Sequence, residues 1–191
     1  DPLYMSDSDV SVLAQERLAK CIEDKDSAGG IVECRIKGVM PGIGETVFDK
    51  LDASLAKAIV SLGAVKGFEV GTGFAVSKMN GSTNNDGFYA DENKTIHKKT
   101  NNSGGILGGM SDGDEIVFRA AFKPTPSIFK KQQTVTSEGK NTELEIAGRH
   151  DPIIVPRAVI VVEAMAAITL TDLIFSNMFA RMDKIKEFYG K

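Results

Sequence analysis

The sequence predicts an α/β protein: a small sheet whose strands alternate with amphipathic helices, closed by one long apolar helix. Three observations carry this. GIVECRIKGV (Gly30–Val39) alternates apolar and charged residues with period two, as a half-buried strand does. Residues 7–23 and VFDKLDASLAKAIVSL (Val47–Leu62) place apolar residues three and four apart, as helices do. AVIVVEAMAAITLTDLIF (Ala158–Phe175) is the most apolar run in the chain and is far too long for a strand.

In chain order, the first helix presents Val10, Leu13, Ala14, Arg17, Leu18 and Cys21 on one face, with Ser6 or Ser8 as its cap. The strand that follows turns Val32, Cys34 and Ile36 inward and Glu33, Arg35 and Lys37 outward. PGIGE (Pro41–Glu45) is a turn, and the second helix buries Leu51, Leu55, Ala58, Ile59 and Leu62. Val65–Val70 and Glu115–Phe122 read as strands, and Thr142–Ala147 as a short one. Between them, residues 80–103 read as a long, mobile polar loop with little to bury, a kind of segment that is usually functional or disordered. The last helix starts near Pro156, since proline suits a first helical turn. Its composition predicts burial on every side through Phe175, with the charged stretch beyond Asn177 emerging into solvent.

The 191 residues suffice for one domain with a sizeable core. A net charge of -3 argues against a general nucleic-acid surface. Cys21 and Cys34 form no metal or disulfide framework, and a reduced, buried Cys34 fits a cytoplasmic protein. No basic and apolar leader opens the chain, and a start at Asp1 reads as a piece excised from something longer. Glu163 and Asp172 interrupt the apolar run, so a buried soluble helix is expected there and not a membrane span. The three N-x-S/T triplets at Asn80, Asn93 and Asn101 read as chance matches in an Asn-rich stretch.

Few residues offer chemistry. There is no phosphate-loop motif, no metal-ligand spacing and no hydrolase triad. GGILGG (Gly104–Gly109) allows close backbone approach to a ligand, or is simply a flexible loop. KPTPS (Lys123–Ser127) leaves a strand as a proline-stiffened turn carrying a cation and two hydroxyls. It can present Lys123, Thr125 and Ser127 to a phosphate, or leave Lys123 merely solvated. GRHDP (Gly148–Pro152) stacks a cation, an imidazole and a carboxylate at the mouth of the apolar helix. It reads either as an anion or polar-cofactor site, or as a turn in which Asp151 caps and Arg149 neutralises it.

Taken together, three stretches resemble the C-terminal half of chorismate synthases. They are DSAGGIVECRIKGVMPGIGETVFDKLDASLAKAIVSLGAVKGFEVGTGFA (Asp26–Ala75), TNNSGGILGGMSDGDEIVFRAAFKPTPS (Thr100–Ser127) and GRHDPIIVPRAVIVVEAMAA (Gly148–Ala167). On this resemblance, residues 1–191 form the C-terminal half of a single domain with a β-α-β sandwich fold, in an enzyme that is a homotetramer at full length. The implied reaction is the loss of phosphate and a ring hydrogen from 5-enolpyruvylshikimate 3-phosphate to give chorismate, with reduced FMN as cofactor and no net redox change. Some members reduce that flavin with NADPH. The resemblance places FMN contacts on Gly63, Ala64, Gly108, Lys123, Pro124, Thr125, Pro126, Ser127 and Arg149, and the acid/base role on Asp151. Ile153 departs from the small residue common in the family, and the N-terminal half, with its catalytic histidines, is absent. Alone, the chain is therefore expected to be inactive. A non-catalytic ligand-binding or assembly module on the same fold is the alternative.

Overall fold

The computed structural model describes residues 1–190. Helix α1 spans Ser8–Glu23. Its cap is neither serine but Asp7, whose carboxylate accepts from the backbone N–H of Asp9 (2.9 Å) and Val10 (3.0 Å). A carboxylate caps as well as a hydroxyl does and adds charge at the positive end of the helix dipole. The expected apolar face is only partly covered: Ser11 is buried, Ala14, Leu18 and Cys21 are half-buried, and Val10 and Leu13 are exposed.

Strand β1 (Gly30–Ile36) buries Val32 and half-buries Cys34 and Ile36, as its alternation predicts. Helix α2 is shorter than the periodicity suggests, at Leu51–Val60. Val47 holds a left-handed φ of +73°, which stops the helix extending backwards. The N–H of Leu51 instead donates to Gly109 O at 2.7 Å, so a neighbouring hairpin satisfies the helix start. Leu51, Leu55 and Ile59 are fully buried, while Ala58 and Leu62 are only half-buried. Strand β2 (Val65–Val70) follows, then a 3-10 turn at Gly73–Lys78.

The segment expected as a loop holds a short helix α3 (Gly81–Asn84) and a hairpin, β3 (Phe88–Ala90) against β4 (Ile96–Lys98). Asp91 shapes its turn, accepting from Asn93 N at 2.9 Å and Thr95 N at 2.8 Å. A second two-stranded hairpin pairs β5 (Ile106–Leu107) with β6 (Met110–Ser111). Strand β7 (Ile116–Phe122) buries Ile116, Phe118, Ala120 and Phe122 in alternation and lies between β1 and β2 in a three-stranded sheet. The short strand expected at 142–147 is β9 (Asn141–Leu144), paired with β8 (Gln132–Val135) in an exposed hairpin. β8 carries no apolar alternation, which is why periodicity misses it.

Helix α4 runs Val155–Phe179, and α5 (Met182–Tyr189) ends at Gly190, whose φ of +65° caps it. The expectation that α4 is buried all round is corrected. Val155, Ala158, Val162, Ala166, Leu170 and Leu173 form one buried stripe, whereas Ile160, Val161, Ile168 and Phe175 are exposed. By length and composition alone, α4 could cross a membrane. The chain divides into two compact units, one of Asp1–Val32 with Ala121–Ile160, the other of Glu33–Ala120 with Val161 onward.

Candidate functional site

In the first unit, residues 25–30 act as a spine that holds both polar motifs. Ser27 Oγ donates to Thr125 O at 2.7 Å, and Lys130 Nζ meets Asp26 Oδ2 at 2.8 Å, fixing the Lys123–Ser127 turn and the chain just beyond it. Gly29 lies so close to this turn that a Cβ would sit 2.5 Å from Phe122 O and 3.1 Å from Pro124 Cδ; only glycine fits. On the same spine, Ala28 N donates to Pro152 O at 2.8 Å and Ala28 bridges Ile153 in parallel. Two motifs some 25 residues apart in sequence are thus held on adjacent residues of one short segment. Ser27 and Gly29 were not singled out from the sequence, although the Gly29-Gly30 pair before a strand was a usable signal.

Within GRHDP, Asp151 Oδ2 accepts from Arg157 Nη1 at 2.7 Å. Arg149, which the turn reading has neutralising Asp151, is exposed and makes no ion pair among the described residues. Arg157 sits in the first turn of α4, six residues beyond Asp151. The His150 ring packs on Phe129, centroids 5.1 Å apart. Among the described residues four buried polar side-chain atoms find no hydrogen-bond partner in the protein: Asn84 Oδ1 and Arg119 Nε in the second unit, and Thr125 Oγ1 and His150 Nε2, one in each of these motifs. Buried polar groups are normally satisfied, so Thr125 Oγ1 and His150 Nε2 each have hydrogen-bonding capacity left for a polar ligand. Lys123, Pro124, Pro126 and Arg149 are exposed, and Thr125 and Ser127 half-buried, so both cations are free to meet an anion.

The second unit carries the remaining candidates. Gly63 and Ala64 form the turn from α2 to β2, and Ala64 holds φ +71°. A non-glycine residue there stores strain of about 1–3 kcal/mol, a frequent mark of a ligand-facing turn. Gly108 and Gly109 are the tip of the β5–β6 hairpin, with φ of +61° and +88°. Both positive angles are what a two-residue hairpin turn of this twist demands. The loop reading of GGILGG is therefore corrected to a defined hairpin. Nothing lies within 4 Å of a Cβ built on Gly63 or Gly108, so both backbones face open space. Cys34 is a free thiol pushed up to about 11 by burial and by the charge of Glu163, which leaves it protonated and unreactive.

The chain matches the family model of chorismate synthase over residues 1–175. It belongs to the chorismate synthase family. It is 63% identical over 190 residues to the chorismate synthase of Lachnoclostridium phytofermentans, covering 100% of this chain and 52% of that protein. The chorismate synthase of Lachnospira eligens is 60% identical over 182 residues, covering 93% and 50%. A crystal structure of chorismate synthase superposes with a TM-score of 0.70 at 29% identity, covering 92% of this chain and 46% of that one. The chain therefore spans about half the length of the chorismate synthases it matches. The α/β fold agrees with that solved neighbour, and both polar motifs lie inside the family-matched stretch.

Proposed function

We propose that this chain supplies half of the active site of a chorismate synthase. That enzyme would eliminate phosphate from 5-enolpyruvylshikimate 3-phosphate to give chorismate, with reduced FMN. The observation that carries the reading is the clamping of Lys123–Ser127 and Gly148–Pro152 onto one spine, with Thr125 Oγ1 and His150 Nε2 left as unpaired buried polar atoms.

The donor set fits an anionic flavin nucleotide or a phosphorylated substrate. Lys123 and Arg149 would hold negative charge, Arg149 through a planar fork of donors. Thr125 and Ser127 offer hydroxyls from a turn that Pro124 and Pro126 already order, which lowers the entropic cost of binding. In the second unit, taken by itself, Gly63, Ala64 and Gly108 are the family-implied flavin contacts, and the two glycines leave open space over their backbone. When bound, reduced FMN would supply electron density to the ring as the allylic phosphate departs. Asp151 is the proton acceptor. Its Oδ2 is held by Arg157, and Oδ1, without a protein partner among the described residues, is the oxygen left to take a proton. The reading extends to a cytoplasmic homotetramer at full length and to a segment 80–103 that tightens when ligands bind; family membership and the polarity of that segment support these.

A single-chain chimera tests this, with this chain replacing its matching portion of the Lachnoclostridium relative. In anaerobic assays with chemically reduced FMN, the chimera should form chorismate and the 191-residue chain alone should not. A folded chimera that binds neither flavin nor substrate would sink the reading.

A further inference from the structure

We propose that Lys98 is a positioning residue for the flavin contact at Gly108: its buried ammonium fixes the base of the β5–β6 hairpin and so aims the hairpin tip. The inference rests on the proposed function, because Gly108 matters to the reaction only if flavin meets it. Lys98 itself is out of a ligand's reach, its side chain being 2% exposed.

The geometry lies wholly within the second unit. Lys98 ends β4, and its Nζ donates to Asn101 Oδ1 (3.0 Å), Ser103 Oγ (3.1 Å) and Asp112 Oδ2 (2.6 Å). An ammonium has three donors, so its capacity is filled. Two of those acceptors grip one residue, Gly105. Asn101 Oδ1 also accepts from Gly105 N at 2.8 Å, and Asp112 N donates to Gly105 O at 3.1 Å. Both backbone groups of Gly105 are therefore held by residues that Lys98 ties together. Gly105 is packed so closely that a Cβ there would sit 2.5 Å from Glu115 O. Gly108 lies only a short step further along β5, so a small turn of the base carries directly to the tip. There Leu51 N tethers Gly109 O at 2.7 Å, while the space over Gly108 is open.

Charge explains why this joint needs a cation. The carboxylates of Asp86 and Asp112, 3% and 9% exposed, and the half-buried Asp114 all lie within 3.8 Å of Nζ. Without the ammonium these like charges would repel one another, and burial denies them the screening that water supplies. A buried ion cluster adds little stability over apolar packing of the same volume; what it adds is one fixed arrangement. In a scaffold loop such an arrangement would be idle. Here it stands at the root of a hairpin whose tip is a candidate ligand contact, where a locked supporting shell has a use. A change at Lys98 should therefore be felt at the flavin, although the two never meet.

The chimera tests this, by titration of FMN fluorescence and by steady-state assays with reduced FMN. Lys98→Met combined with Asp112→Asn removes one charge of each sign, so the cluster keeps its net charge and loses its link. FMN affinity should fall about tenfold, roughly the worth of one charge-assisted hydrogen bond. The apparent KM for reduced FMN should rise with kcat at saturating flavin kept, since the lost contact serves ground and transition states alike. Val162→Ala controls for stability. It empties a buried position on α4, outside the hairpin, and should leave FMN affinity within about twofold. If the double variant melts below the assay temperature, Asp112→Asn alone decides, and its like-shaped amide should still weaken FMN about threefold. Parental affinity in the deciding variant overturns the proposal. So does an equal loss in Val162→Ala, or a fall in kcat without a rise in KM. A parent chimera that binds no FMN sinks the proposed function and this inference with it, and that result is separate from the other three.

Discussion

Arg157 Nη1 holds Asp151 Oδ2 at 2.7 Å across the first turn of α4. The pair is open to solvent, with side chains 73% and 37% exposed, so water screens it heavily. Its worth to stability is therefore at most about 1 kcal/mol. Arg157→Ala should shift the urea midpoint of the chain only slightly, and a loss several times larger would show a buried role for the pair.

Catalysis gives the opposite expectation for the same carboxylate. In the chimera, Asp151→Asn should fold and bind flavin as before yet lose most of kcat, because an amide keeps the shape but takes no proton. If Asp151 only shapes a turn, asparagine serves nearly as well and turnover survives. Single-turnover chorismate release, with a melting curve alongside, separates the two.

Asp86 lies at the centre of a buried polar cluster. Burial alone would raise its carboxyl. Hydrogen bonds from Thr100 Oγ1 (2.7 Å), Ser103 N (2.9 Å) and Asn102 N (2.7 Å) outweigh that and hold it at about 2, below its ordinary 3.8. A depressed pKa stabilises the fold above the unfolded value, and the gain is lost as pH falls from about 4 through about 2. The contribution at neutral pH is on the order of 2 kcal/mol. Urea unfolding followed from pH 7 to pH 2 should show this decline, and Asp86→Asn should flatten it. Parallel profiles for the two proteins would exclude Asp86 as the source.

The two faces of α4 should respond differently to truncation. Leu170→Ala empties a buried position and should cost about 2–5 kcal/mol. Ile168→Ala, two residues away on the exposed side, should stay within about 0.5 kcal/mol in the isolated chain. Equal losses in denaturant melts would mean that α4 is buried on both sides.

Gly29→Ala should disturb the site from behind. Its methyl would sit 2.5 Å from Phe122 O, so the Lys123–Ser127 turn must move. Overpacking of this kind costs about 1–3 kcal/mol. In the chimera, flavin fluorescence titration should show weaker binding even though Gly29 carries no ligand-binding side chain. Unchanged affinity would place the flavin away from this turn.

Elements with one buried face were legible from period alone. β1 and β7 fall where alternation puts them, and α2 buries Leu51, Leu55 and Ile59 as its spacing requires. Elements held by polar bonds were not. The β3–β4 hairpin and strand β8 expose most side chains on both faces and leave no periodic signal, whereas β9 falls close to the short strand expected at 142–147. The extent of burial on α4 was also out of reach, because composition shows that a helix wants cover but not whether this chain provides it. At the site, Asp151 and the Lys123–Ser127 turn were visible as motifs. The Arg157 partner and the Ser27–Gly29 support were not, since only folding sets them beside those motifs.

Lys98 leads to a different kind of expectation. Its side chain is 2% exposed, with its ammonium 2.6 Å from Asp112 Oδ2, 3.0 Å from Asn101 Oδ1 and 3.1 Å from Ser103 Oγ. Lys94 stands at the hairpin tip with φ +64°, exposed. To trypsin the two lysines are unequal substrates, one presented on a turn and the other sealed inside a cage. Limited trypsin should nick after Lys94 and spare Lys98. The cut would not release either piece, because the β3–β4 pairing and the bonds from Asp86 to Thr100, Asn102 and Ser103 span it. The nicked chain should elute as one particle on a sizing column and separate into two bands only once denatured.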